Sequence, residues 1–246
     1  MAVARTRLEK TLTRVKAELG PAHSLVAEVL NALGIVGKAE SRFTDAARCY
    51  RRALVILRNS RSTGPLELAD LYHNLGGLEH ARGRYAIGEP LARRSVQLRA
   101  RRHGPDATIV WKDRTAHAAL LDGLGRYAES EPVYRRALAV FRKRLGANDY
   151  EVAVTLNNLG CARAALGDPR SGARFLRQAL IVKEGLFGST SVEAALTIHN
   201  LATAIEDSGR SREAAPLFRR AASLLRRRLG ANHPIVIAVS RSDESA

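Results

Sequence analysis

Residues 151–192, EVAVTLNNLGCARAALGDPRSGARFLRQALIVKEGLFGSTSV, hold two amphipathic stretches that are broken at Gly167 and Asp168 and closed by Gly188. Asp149 is placed to cap a first helix over about 150–165. Pro169 suits the first turn of a second helix, where a missing N–H costs nothing. Leucines three apart form an apolar stripe, and small residues at Gly160 and Ala179 let helix backbones approach closely. A lone hairpin of this kind cannot cover its apolar face, so stacked neighbours must complete the core.

The neighbours are written into the chain. Steps of 42 residues carry Gly34 onto Gly76, Ala118, Gly160 and Ala202, and Ala53 onto Ser95, Ala137, Ala179 and Ala221. Leu33, Leu75, Leu159 and Leu201 share another column, as do Ile56, Leu98, Val140, Val182 and Leu224. Ser41 heads a fourth, continued by Gly83, Gly125, Gly167 and Gly209. A fixed period of this length marks stacked supersecondary units. The organisation expected is a capping helix or half repeat at 1–24, then repeats at 25–66, 67–108, 109–150, 151–192 and 193–234, then a partial helix and polar tail at 235–246. One cap and five hairpins predict eleven principal helices in an all-α solenoid. His23, Asp149, Ser191 and His233 fall in one column just before first helices, which makes the two histidines turn residues rather than ligands.

Repeat three departs from the pattern. Arg114 stands in the column of Leu30, Tyr72, Leu156 and Ile198, and His117 in that of Leu33 and Leu75. A buried unpaired charge is costly, so Arg114 is expected to snorkel, to find an acid such as Asp113 or Asp122, or to loosen its helix. The repeat is either degenerate or specialised for a contact through Trp111, Lys112 and Arg114.

With 46% hydrophobic but only 5% aromatic residues in 246, the core must be aliphatic. No apolar run approaches the ~18 residues of a membrane span, and the charged, amphipathic start of the chain is unlike a signal, so a cytoplasmic location is expected. Cys49 and Cys161 lack ligand spacing and are expected to be small core residues.

Several segments resemble the tetratricopeptide repeats of the kinesin light chain type: Leu156, Asn157, Asn158, Leu159 and Gly160; Gly125, Arg126 and Tyr127; the run from Glu131, Pro132, Val133 and Tyr134 to Arg135, Arg136, Ala137 and Leu138; and Leu229, Gly230, Ala231, Asn232, His233 and Pro234. The resemblance covers residues 5–240 and implies a right-handed superhelical solenoid of helix-turn-helix repeats whose first helices line a concave groove for peptides or partner helices. No heptad seam precedes the repeats, so a motor subunit is not expected.

A net charge of +16 raises the question of nucleic acid. The repeat register divides that charge unevenly: first helices sum to −6 and second helices to +19. If first helices line the groove, as the resemblance implies, the groove is neutral to acidic and the convex ridge is basic. The groove candidates are Asn31, His73, Asn74, Lys112, Asn157, Asn158, His199 and Asn200. An amide both donates and accepts, so an asparagine column suits an extended peptide backbone, and it serves equally to bond neighbouring turns of the stack. The alternative surface is the convex ridge of Arg51, Arg52, Arg93, Arg94, Arg135, Arg136, Arg219 and Arg220, which would meet nucleic acid or an acidic protein.

The sequence contains no glycine-rich phosphate loop, no His-Glu-x-x-His pair and no serine nucleophile elbow. The expectation is a non-catalytic scaffold or adaptor with a protein or peptide partner, and without catalytic residues, metal, cofactor or membrane.

Overall fold

The computed structural model describes residues 2–60, 64–233, 235–237 and 239. Among these the chain forms eleven long α-helices, a further short helical stretch at residues 235–237 and 239, and no strand. They are α1 (Ala2–Leu19), α2 (Ser24–Ala39), α3 (Phe43–Asn59), α4 (Pro65–Ala81), α5 (Tyr85–His103), α6 (Thr108–Gly123), α7 (Tyr127–Leu145), α8 (Tyr150–Ala165), α9 (Pro169–Phe187), α10 (Val192–Asp207) and α11 (Ser211–Leu229). Second helices begin at Phe43, Tyr85, Tyr127, Pro169 and Ser211, each one period after the last. Pro234 and the tail from 240 lie outside the described residues, whereas Val236 and Val239 are buried at 2% and 6% exposure against Ala195 and Leu225.

The helix ends follow from the turn residues. Gly83, Gly125, Gly167 and Gly209 take φ between 67° and 86°, and Ser41 joins them at 59°, a left-handed conformation that is cheap only for glycine. In the capping column, His23 Nδ1 accepts from Leu25 N at 3.2 Å, Asp149 Oδ1 from Glu151 N at 2.8 Å and Ser191 Oγ from Ala194 N at 3.2 Å. His233 Nδ1 accepts from Ile235 N at 3.3 Å, so both histidines are turn residues, as their spacing required. Asp168 accepts from Ser171 N at 3.1 Å and pairs with Arg163 at 2.5 Å. These contacts, the Ser171 backbone hydrogen bond foremost, hold its carboxyl down at about 2.

The chain divides into two compact units, Met1–Gly125 and Arg126–Ala246. In the first, α1 packs on α2, and the hairpins α2/α3 and α4/α5 stack in order onto α6. Its core gathers Val26, Leu30, Tyr50, Ile56, Leu71 and Leu78. In the second, α7 packs on α8, and the hairpins α8/α9 and α10/α11 stack through α9 and α10. Close backbone contact sets this packing: a Cβ added at Gly172 would stand 2.6 Å from the carbonyl oxygen of Gly160. Ala137, Ala179 and Ala221 are fully buried in the equivalent small-residue column, and Ser95 takes that place in α5.

Candidate functional site

The first helices of each unit carry an amide belt. In the first unit Asn74 Nδ2 donates to Asn31 Oδ1 at 2.8 Å, tying α4 to α2. In the second, Asn200 Nδ2 donates to Asn157 Oδ1 at 3.2 Å, tying α10 to α8, and Asn157 Nδ2 donates to Asn158 Oδ1 at 3.2 Å. All five asparagines are half-buried. Part of their bonding capacity therefore serves the stack, one of the two roles that the sequence allows. Among the described residues, Asn158 Nδ2 and Asn200 Oδ1 have no partner within the chain. A cleft of about 190 Å³ opens beside Asn200, lined also by Cys161, Leu176, Thr203 and Asp207.

The histidines of the belt columns differ from one another. His73 Nδ1 lies 2.8 Å from Asp113 Oδ1, with its ring still 39% exposed. His199 instead packs edge-on against Phe218, ring centroids 5.4 Å apart. Lys112 is half-buried on α6.

Asp113 is the centre of a charged cluster that the sequence did not single out. Its carboxylate is 2% exposed and holds Arg99 Nε at 2.8 Å and Ser95 Oγ at 2.6 Å in addition to His73. Ser95 Oγ is also 2.9 Å from Ala69 O, so its one proton serves either acceptor, and Arg99 continues to Asp70 on the surface. A buried carboxylate is tolerated here because the ion pair with Arg99 and the hydroxyl donor of Ser95 replace its water.

At the equivalent place in the second unit, Lys183 is buried to 8% exposure and donates to Thr197 Oγ1 at 2.8 Å. Thr197 in turn reaches Glu193 O at 3.0 Å and Asn157 Oδ1 at 3.3 Å, which places a buried ammonium beneath the amide belt. Burial pushes the Lys183 pKa down, against smaller upward pulls from Cys161 and Glu193. The signal was present in the columns: Arg99 and Lys183 share one with Leu57, Phe141 and Leu225, and Asp113 and Thr197 share one with Val29 and Leu71.

Repeat three resolves differently from the expectation. Arg114 takes neither Asp113 nor Asp122 as its partner; its guanidinium stacks over Trp111, 4.3 Å from the ring centroid. That contact satisfies a half-buried cation at a cost in neither helix regularity nor acid pairing. His117 Nε2 lies 2.8 Å from Glu89 Oε1. Cys49 and Cys161 form no disulfide; each is half-buried and packs against the core of its own unit.

All eight arginines of the ridge set are exposed. Several are balanced by acids: Arg135 meets Glu131 at 2.5 Å, Arg220 meets Glu184 at 2.8 Å and Arg93 meets Glu89 at 3.7 Å. Among the described residues no group of three or more His, Cys, Asp or Glu side chains is placed to hold a metal ion, and no helix is long and apolar enough to cross a membrane.

No curated protein matches the chain in sequence. Among solved structures, BtubC (BKLC) from P. vanneervenii superposes with a TM-score of 0.68 at 21% identity, over 94% of this chain and 92% of that one. Nearly identical TPR-like repeats named for a kinesin light chain of Podosopora anserina give 0.62 at 18% identity, over 84% and 98%. A Rap protein complexed with Competence and Sporulation Factor gives 0.67 at 13% identity, over 98% and 74%. These likenesses establish a shared fold. Tetratricopeptide repeat models match residues 68–106, 113–185 and 194–235, which together make up more than half of the sequence. The chain belongs to the tetratricopeptide repeat family.

Proposed function

We propose that the protein is a non-catalytic scaffold or adaptor that binds a peptide or partner helix along its first helices. The observation that carries this reading is the amide belt, above all Asn158 Nδ2 and Asn200 Oδ1, a donor and an acceptor left open, the second of them on a residue that lines a cleft. An extended backbone offers the complementary carbonyl and N–H whatever its side chains, and the cleft receives one of those side chains. His73 and His199, in the column of Asn31 and Asn157, and Lys112 on α6 would select among side chains. Two structural neighbours support the reading by analogy, since they are Rap proteins complexed with Competence and Sporulation Factor and with the Phr* peptide.

Ridge binding to nucleic acid or an acidic protein is the second reading, favoured by the +19 that second helices carry. Salt separates the two: phosphate contacts weaken steeply as ionic strength rises, whereas backbone hydrogen bonds do not. The test is affinity capture with mass spectrometry, followed by titration of fragments of the captured partner at low and high salt. A salt-insensitive peptide that competes with the whole partner supports the groove; steep loss of affinity with salt opposes it.

A further inference from the structure

The second unit carries an uneven edge where α7, α9 and α11 end. α9 lies between the other two, since Arg142 of α7 donates to Gln178 at 2.8 Å and Arg220 of α11 to Glu184 at 2.8 Å. The flanking helices finish in cations, Arg142, Lys143 and Arg144 on one side and Arg226, Arg227 and Arg228 on the other. The middle helix has no basic residue in its last turn and finishes in Leu186 and Phe187, 44% and 43% exposed. Tyr150, 49% exposed at the start of α8, meets Phe187 edge to face, with ring centroids 5.9 Å apart. Of the acids nearby, Glu184 pairs with Arg220 and Asp149 caps α8, while Glu151 and the exposed Glu193 lie close enough to Tyr150 to add to the rise that burial gives its pKa.

We propose that this edge, an apolar tip of Leu186, Phe187 and Tyr150 between two cationic triplets, docks on an anionic lipid bilayer. Neither ingredient suffices alone: a small apolar tip gives only marginal binding, and a polybasic patch supplies the second signal that holds a protein at an anionic surface. Tyr150 suits the headgroup level, where amphipathic rings collect, and Phe187 the apolar layer beneath it. A recess of about 230 Å³ between Thr190, Leu224, Arg227 and Arg228 gives a headgroup phosphate a place beside the Arg227 guanidinium, with Arg228 held at its wall by hydrogen bonds to Thr190 O and Oγ1. Single-stranded nucleic acid fits less well, because one face of the aromatic pair is taken by the edge-to-face contact and the leucine beside it offers no face to stack on. The contact lies on a bilayer without crossing it.

The test uses the full chain and two kinds of vesicle, phosphatidylcholine alone and phosphatidylcholine with about one third phosphatidylglycerol. Sedimentation is expected to show binding to the anionic vesicles only. Leu186→Ser with Phe187→Ser should lower the partition about tenfold, and glutamine at either cationic triplet about tenfold or more. Glutamine at Arg51, Arg52, Arg93 and Arg94 of the first unit should change it less than about twofold, which excludes a bulk charge effect. Thermal melting checks that the serine variant folds, and Phe187→Trp gives an independent reading, a blue shift of emission on the anionic vesicles. The proposal is overturned if wild type ignores anionic vesicles, if the serine variant binds as wild type does, or if the tryptophan emission does not move. Tighter binding of oligouridine, lost in the same variants, would reassign the edge to nucleic acid.

Discussion

Arg99 in the first unit and Lys183 in the second occupy the same column, and the helix opposite treats them differently. Against Arg99 it supplies the buried carboxylate of Asp113, with Ser95 and His73 completing the shell. Against Lys183 it supplies only the hydroxyl of Thr197. The scaffold therefore accepts a cation in a core column, but the energetics depend on what the facing residue is. In the first unit the charges are spent on one another and His73 is drawn into the network. In the second the charge stays uncompensated beneath an amide belt whose ends are open.

The largest expected effect is the opposite response of these two cations to truncation. Arg99→Met leaves Asp113 buried with its main cationic partner gone and should cost ~3–5 kcal/mol. Lys183→Met removes a desolvated charge, keeps the volume, and should be neutral or stabilising by ~1 kcal/mol. Thermal melting of the two variants reads the difference, and similar losses in both would erase the distinction between the units. The pH dependence follows the same logic. The folded-state pKa of Lys183 lies below its unfolded value of 10.5, so the unfolded chain binds the extra proton in that window. Wild type should gain stability as pH rises from the lowered pKa towards 10.5, and Lys183→Met should not.

What the units share is tested by their common glycine column. A Cβ at Gly172 would meet the Gly160 carbonyl at 2.6 Å, while one at Gly88 would meet Leu120 Cδ2 at 2.6 Å and the Gly76 carbonyl at 3.1 Å. Gly172→Ala should cost ~1–3 kcal/mol, and Gly88→Ala less, because a leucine methyl yields more easily than backbone. A costly Gly88→Ala beside a silent Gly172→Ala would contradict the close approach assigned to α8 and α9.

The smallest effect belongs to the turn. Asp168, held at about 2, contributes stability above its unfolded value of 3.8 and loses it as pH falls through 2. Asp168→Asn should lower the melting temperature by a few degrees at neutral pH, with the gap closing as pH falls below 3.8. A gap that persists in acid would remove the charge from the explanation.

The fold was legible because backbone demands repeat with the period. Positive-φ glycines, capping residues and small packing positions each recur in register, so the helix starts could be placed from columns alone. The site was legible only in part. The asparagine columns were visible, but their division between stack and solvent depends on side-chain directions that spacing leaves open. The Arg99–Asp113 and Lys183–Thr197 pairs escaped notice because summing charge by helix hides a cation standing in a leucine column. Arg114 escaped because its partner is an aromatic face on the same helix, three residues away, rather than an acid.

The most direct measurement of the central claim is binding of the full chain to an arrayed peptide library at high salt, compared between two variants. In one, Asn158 and Asn200 are alanine; in the other, Arg135, Arg136, Arg219 and Arg220 are glutamine. Each lost amide contact is worth ~0.5–1.5 kcal/mol, so the asparagine variant should bind its peptides about tenfold more weakly or worse. The arginine variant should bind as wild type does. Loss in the arginine variant with retention in the asparagine variant would contradict the groove and move the functional surface to the basic ridge.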